Sequence, residues 1–140
     1  MRITESLRIE HDLLRNMLEA MSRWLTESVA SDKLRERAMM LEAAINIHSA
    51  REERQLFAPL SASSDIAHDL VSMIERVHIE VRDLFKQVAD PGQNPEDLLR
   101  DILRLTIEHF TEEETGLFPL AEKLLPAELL EADNSYTLTN

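Results

Sequence analysis

Apolar residues recur along this chain at alternating steps of three and four, the signature of helices that bury one face. Thr4, Leu7, His11, Leu14, Leu18, Met21 and Leu25 form the first stripe and predict a helix over about 4–27. After a polar break at 28–31, Asp32 is a candidate N-cap for a second helix reaching about Ala58, with Leu34, Leu41, Ile45, His48 and Glu52 inward. A turn at 61–65 leads to a third helix ending near Ala89, whose inward row is Val71, Ile74, His78, Val81, Phe85 and Val88. A turn at 90–93 precedes Asn94, Pro95 and Glu96, a strong helix start, and the fourth stripe reads Leu98, Ile102, Leu105, His109 and Glu113. Gly116 and Pro119 are expected to end or kink that helix. Leu117, Phe118, Leu120, Leu124 and Leu125 are expected to cap the bundle end before Pro126 opens a short final helix.

Four helices joined by short turns predict an all-α fold, an antiparallel up-down four-helix bundle with a short C-terminal helix, over residues 1–133, followed by a polar tail over 134–140. The chain also repeats itself. His-Asp-Leu-Leu-Arg at 11–15 parallels His-Ile-Glu-Val-Arg at 78–82, and His-Ser-Ala-Arg-Glu-Glu-Arg-Gln-Leu-Phe at 48–57 parallels His-Phe-Thr-Glu-Glu-Glu-Thr-Gly-Leu-Phe at 109–118. Two helical hairpins related by a pseudo-twofold axis account for both matches.

Each predicted helix carries one histidine in its apolar row. His11 lies 17 residues before Ser28 and His48 lies 16 after Asp32, while His78 lies 12 before Asp90 and His109 lies 14 after Pro95. At about 1.5 Å rise per residue, the two members of each hairpin stand within about 3 Å of one level. Glu52, 9 residues before Ser61, and His78, 13 after Asp65, reach a common level once the helices tilt. A lone buried histidine is ordinarily a hydrogen-bonded core residue. Four at one level, with Glu52 and Glu113 each four residues after a histidine, point instead to one metal centre. Two buried carboxylates without a cation are costly, so the metal-free protein is expected to be the less stable form.

Composition narrows the chemistry. Cysteine is absent from the 140 residues, which excludes thiolate ligation, iron–sulfur clusters, disulfides and a cysteine nucleophile; any metal binds through N and O. Four imidazoles and two carboxylates suit iron, manganese or zinc, whereas magnesium and calcium want mostly oxygen. A net charge of -12 without a basic run argues against nucleic acid and anionic membranes as partners. No Gly-x-Ser-x-Gly turn or phosphate-cradling glycine loop supports a hydrolase or a nucleotide-dependent enzyme. The start has no leader-like pattern and no run of about 18 apolar residues occurs, so a cytoplasmic protein is expected. Glu53, Glu112 and Glu114 read as solvated neighbours rather than ligands. Arg15 and Arg82, each four residues past a histidine, either partner carboxylates or reach to solvent. Met17, Met21, Met39, Met40 and Met73 read as core filler. His68 and Trp24 lie about 15 and 20 Å along their helices from the nearest candidate ligand, too far to join it.

These residues resemble the hemerythrin-like, or HHE cation-binding, family over about residues 5–125. The resemblance rests on Glu-His-Asp-Leu-Leu-Arg at 10–15, His-Ser-Ala-Arg-Glu-Glu with Leu-Phe at 48–57, His-Ile-Glu-Val-Arg-Asp-Leu at 78–84, and His-Phe-Thr-Glu-Glu-Glu with Leu-Phe-Pro-Leu-Ala at 109–121. It implies a non-haem centre of two iron ions bridged by Glu52, Glu113 and an oxo or hydroxo oxygen. It also implies His11 and His48 on one iron and His78 and His109 on the other; zinc or manganese remain alternatives. Oxygen-carrying members have a second histidine on the third helix, four residues from the first. The corresponding positions here are Ile74 and Arg82, which argues against reversible oxygen carriage. The four-His, two-Glu set is similar instead to bacterial di-iron proteins that protect or repair iron–sulfur centres, whose small cysteine-bearing N-terminal domain has no counterpart in this sequence. The expected function is therefore a di-iron protein that binds or reacts with oxygen, peroxide or nitric oxide in an oxidative or nitrosative stress response. The alternatives are an iron- or oxygen-sensing or iron-storing module without turnover, and an interaction protein whose site is vestigial or holds zinc.

Overall fold

The structure, a computed structural model, describes residues 1–131, and every regular element among them is helical. In chain order these are α1 (Ile3–Thr26), α2 (Ser31–Glu52), α3 (Ala58–Ser61), α4 (Asp65–Ala89), α5 (Pro95–Glu112), α6 (Phe118–Leu124) and α7 (Ala127–Leu130). A π-helical turn, Glu53–Phe57, joins α2 to α3, and a second, Glu113–Leu117, joins α5 to α6. The residues flanking both turns keep right-handed helical angles, so the helix runs on without a break. The expected domain end at 133 and tail over 134–140 lie outside the described residues.

Local chemistry explains two of the helix starts. The Ser64 side chain accepts a hydrogen bond from the Ala67 N–H at the start of α4, and Asn94 accepts one from Glu96 at the start of α5, where Pro95 occupies the first turn. α2 corrects its sequence reading. It begins at Ser31 with Ala30 at the cap and no side-chain bond, while Asp32 sits inside the first turn, where its charge favours the positive helix end. Arg35 binds Asp32 at 3.3 Å and donates to the carbonyls of Val88 at 3.1 Å and Gln93 at 2.8 Å, which ties this start to the α4–α5 turn. Gly116 and Pro119 do not end the fourth stripe. A π turn pairs residues five apart and so takes up one extra residue, and Pro119, which has no N–H to give, falls in the first turn of α6 as Pro59 does in α3.

α1 packs on α2, α5 and α6, α2 packs also on α4 and α5, and α4 packs on α5. Two apolar clusters fill the interior. One holds Leu14, Leu18, Met21, Leu34, Phe85 and Phe110; the other holds Ile3, Leu7, Leu56, Ile74, Leu117 and Phe118. Between them lies the polar layer: His11, His48 and His78 each fall between members of the two clusters along their helical runs, and His109 sits beside Phe110, the last member of the first cluster before Leu117 of the second. Fully burying a Leu or Phe contributes roughly 1.5–3 kcal/mol, so the clusters carry the stability that lets a polar layer exist between them. On α5 the inward row is Leu99, Ile102, Leu103, Thr106, His109 and Phe110, with Leu98 and Leu105 half-buried at its edge, one residue away from the expected row. Met21 is buried and Met17 packs at the margin, but Met39, Met40 and Met73 face solvent, against their reading as core filler. Leu117, Phe118 and Leu125 cap the lower cluster, Leu120 packs beside it and Leu124 is turned outward. No helix among the described residues is long and apolar enough to cross a membrane.

Candidate metal centre

The six side chains singled out by the sequence come together in the polar layer, all buried. They form two overlapping groups, His11, His48, Glu52 and Glu113, and Glu52, His78, His109 and Glu113, whose donor atoms lie within 4.8 Å of one another in each. Both carboxylates belong to both groups. His48 and Glu52 share one face of α2, and His109 and Glu113 one face at the end of α5, because four residues complete about one turn. In both places the π turn begins at the carboxylate or immediately after it. Such turns concentrate at functional sites because the extra residue re-aims the side chains around it.

All four Nε2 atoms face the carboxylates. His11 Nε2 is 3.3 Å from Glu113 and 3.7 Å from Glu52; His48 and His78 Nε2 are each 3.4 Å from Glu52; His109 Nε2 is 3.1 Å from Glu113 and 2.8 Å from His78 Nε2. The outward nitrogens explain this aim. His11 Nδ1 donates to Glu114 at 2.7 Å, His48 Nδ1 to Glu10 at 2.7 Å and His78 Nδ1 to Glu53 at 3.1 Å. An ionised carboxylate only accepts, so these three bonds place a proton on Nδ1 and direct Nε2 inward, as a metal ligand requires. Each carboxylate is in turn held by a guanidinium. Arg15 grips Glu114 through two bonds of 2.9 and 2.8 Å, Arg82 bonds Glu53 at 2.7 Å, and Arg51 pairs with Glu10 while donating to Ser6 at 2.8 Å. Aromatic rings brace the imidazoles: Phe110 stacks on His11 at 4.0 Å, and Phe57 on His78 at 5.4 Å.

The metal-free electrostatics are lopsided. Burial alone would raise Glu52, but the charge on His48, helped by the close polar atoms of Glu113, His11 and His48, holds it well below the usual carboxylate range. Burial and the neighbouring Glu52 charge push Glu113 well above it, so one carboxyl of the pair is ionised and the other keeps its proton. Burial lowers His48, yet the Glu52 charge and the Glu10 bond prevail and raise it to about 9. His109 is carried down to about 3, chiefly by burial.

No well-aligned hydrogen bond reaches any of the four oxygens of Glu52 and Glu113, or the Nε2 atoms of His11 and His48. Buried polar atoms left unpaired are costly and rare, and here they converge from four helices on one point. A cation supplies what they lack. Nitrogen and oxygen ligands bind a transition metal such as zinc at roughly 2.0–2.2 Å, which spaces neighbouring ligand atoms by roughly 3 Å, close to the distances between these donors. The residues present therefore fit a two-metal centre.

Several neighbours depart from their sequence reading. Glu53 and Glu114 are not merely solvated; they orient His78 and His11, and Arg15 and Arg82 are their partners. Glu112 is exposed, as is Glu75. His68 bonds Ser61 at 2.7 Å and Trp24 packs under Arg37 at 4.2 Å, both outside the polar layer. Glu10 and Arg51 were not singled out. Their signal was a glutamate beside His11 and an arginine three residues after His48, side chains that leave their own helices toward the groove between α1 and α2. A family model, the hemerythrin HHE cation binding domain, matches residues 2–121. No curated protein and no solved structure matches the chain. With that match over most of its length, the chain belongs to the hemerythrin HHE cation-binding family.

Proposed function

We propose that this protein is a non-haem di-iron protein that reacts with oxygen, peroxide or nitric oxide in an oxidative or nitrosative stress response. In this reading α1, the α2–α3 run, α4 and the α5–α6 run are the four rods of an antiparallel up-down bundle, with α7 appended. His11 and His48 hold one ion, His78 and His109 the other, and Glu52 and Glu113 serve both. The observation that carries the reading is the membership of both carboxylates in both donor groups, each with unpaired oxygens.

Bound iron would supply one-electron chemistry toward small oxidants. The chain's own residues do the rest. Glu114, Glu10 and Glu53 keep three imidazoles in the ligating tautomer, and the apolar clusters on either side exclude bulk water. The cavity against His48, His78 and His109 measures about 20 Å³. That is room for one water-sized molecule beside these imidazoles. Four protein ligands or so per ion leave positions for such a molecule to approach.

Anaerobic iron loading followed by metal analysis tests the reading, with about two ions per chain and near-ultraviolet absorption on oxidation as the expected result. Saturation at one ion or none overturns it. A protein that refuses iron and holds zinc tightly favours the alternative of a structural site.

A further inference from the structure

The four imidazoles are not equally supported. His11, His48 and His78 each donate from Nδ1 to a carboxylate that an arginine holds, whereas His109 Nδ1 is buried without a partner. The internal repeat shows what is missing. Position 10 corresponds to 77 and position 51 to 112, so the Glu10–Arg51 pair that anchors His48 is replaced around His109 by Val77 and Glu112. Neither can do the same work: Val77 has no acceptor, and Glu112 is an exposed acid where the first hairpin has a buried base. His109 instead lines the cavity of about 20 Å³, together with Thr106, whose hydroxyl is also buried and unpartnered; no Asp or Glu lines it. The space admits one water, a neutral and weaker acceptor than a carboxylate.

We propose that the two metal positions are unequal, that the His11–His48 position binds its ion more tightly, and that Glu10, gripped by Arg51, sets much of the difference. This rests on the two-metal reading above. A carboxylate on the far nitrogen fixes ring orientation and strengthens the imidazole as a ligand, and losing one typically costs 10–100-fold in metal affinity. The first position has two such supports, both at 2.7 Å; the second has one, at 3.1 Å. Loading is therefore sequential. A one-ion form with His78 and His109 still free of metal is populated, and the second ion is the one that exchanges. Glu10 is a positioning residue, since it acts only through His48.

The test is a titration of metal-free full-length protein with Co(II), following heat and absorbance, with proton NMR of the paramagnetically shifted imidazole N–H signals to locate the first ion. Wild type should show two steps separated by roughly 10–100-fold, the first shifting His11 and His48. Glu10→Gln should weaken the first step by roughly that factor and merge the two, with helicity by circular dichroism unchanged. The paired substitution Val77→Glu with Glu112→Arg builds the missing support and should tighten the second step alone. Two indistinguishable steps in wild type, a first ion on His78 and His109, or equal weakening of both steps by Glu10→Gln would overturn the proposal and leave the two-metal reading intact. Failure to bind any Co(II) would sink both.

Discussion

The two central carboxylates look interchangeable in a metal site, but in the metal-free protein they should respond oppositely to neutralisation. Glu52 is held well below the ordinary carboxylate range, so its interactions outweigh the cost of burying its charge. Its principal partner, His48, is raised from 6.5 to about 9. At about 1.36 kcal/mol per tenfold change, that rise is worth about 3 kcal/mol of folded-state stability, most of it dependent on Glu52. A base raised on folding contributes fully below its unfolded value and loses the contribution as pH climbs through the folded one. Glu52→Gln should therefore cost on the order of 2–3 kcal/mol at pH 6, roughly 10 °C in Tm for a domain of this size, and almost nothing at pH 10. Glu113 is the reverse case. Its carboxyl stays protonated in the fold while the unfolded chain ionises above its usual value, so wild type loses stability through this group as pH rises. Glu113→Gln, neutral and nearly isosteric, should leave the metal-free protein as stable at pH 7 or slightly more so. The assay is urea denaturation of chelator-dialysed wild type and both variants at pH 6, 7 and 10. Equal losses in the two variants, or a Glu52→Gln deficit that persists undiminished at pH 10, would refute the assignment of charge within the pair.

Three further outcomes follow from the same geometry. Glu53→Gln and Glu114→Gln should each reduce metal affinity roughly 10–100-fold in competition with a coloured chelator, while Glu112→Gln and His68→Ala match wild type; uniform behaviour across all four would contradict the orienting role. Metal uptake should release protons, because His48 and Glu113 hold them beforehand, so affinity should climb from pH 6 to about 9 and then level off; calorimetry in buffers of differing ionisation heat reads the proton count directly. Anaerobically reduced, iron-loaded protein should be oxidised on mixing with oxygen in a stopped flow, and recovery of the reduced spectrum under argon would point to reversible carriage instead.

Much of the site was legible because helical periodicity makes a misplaced polar residue conspicuous. His11, His48, His78 and His109 interrupt apolar rows, and the four-residue step from His48 and His109 singled out Glu52 and Glu113 from their acidic neighbours. What stayed hidden has physical causes. A π turn has no compositional mark, so Gly116 and Pro119 looked like a break when the helix absorbs them. On α5 adjacent apolar residues at 98 and 99 allow either register, and packing against helices on several sides chose Leu99, Leu103 and Thr106 over Leu98 and Leu105. Met39, Met40 and Met73 are apolar by type but lie on outward faces. Glu10 and Arg51 could not be assigned because their meeting depends on which flanks of α1 and α2 face each other, a tertiary fact that spacing along one helix does not contain.

The exchange of orienting carboxylates between the chain's two halves has a consequence for how the protein assembles. His11, in the first half, is set by Glu114 in the second; His78, in the second, is set by Glu53 in the first. Neither half alone can present a correctly aimed pair of imidazoles, so an isolated hairpin would be a poor chelator, and ion capture during synthesis must wait until the last helical run has emerged and docked. The same reciprocity describes how a duplicated chain could have begun: two copies of a single hairpin, each lending its glutamate to the other's histidine, form a closed symmetric pair in which fusion costs nothing and drift of one copy is tolerated. Val77 and Glu112, opposite Glu10 and Arg51 in the repeat, are where the two halves differ.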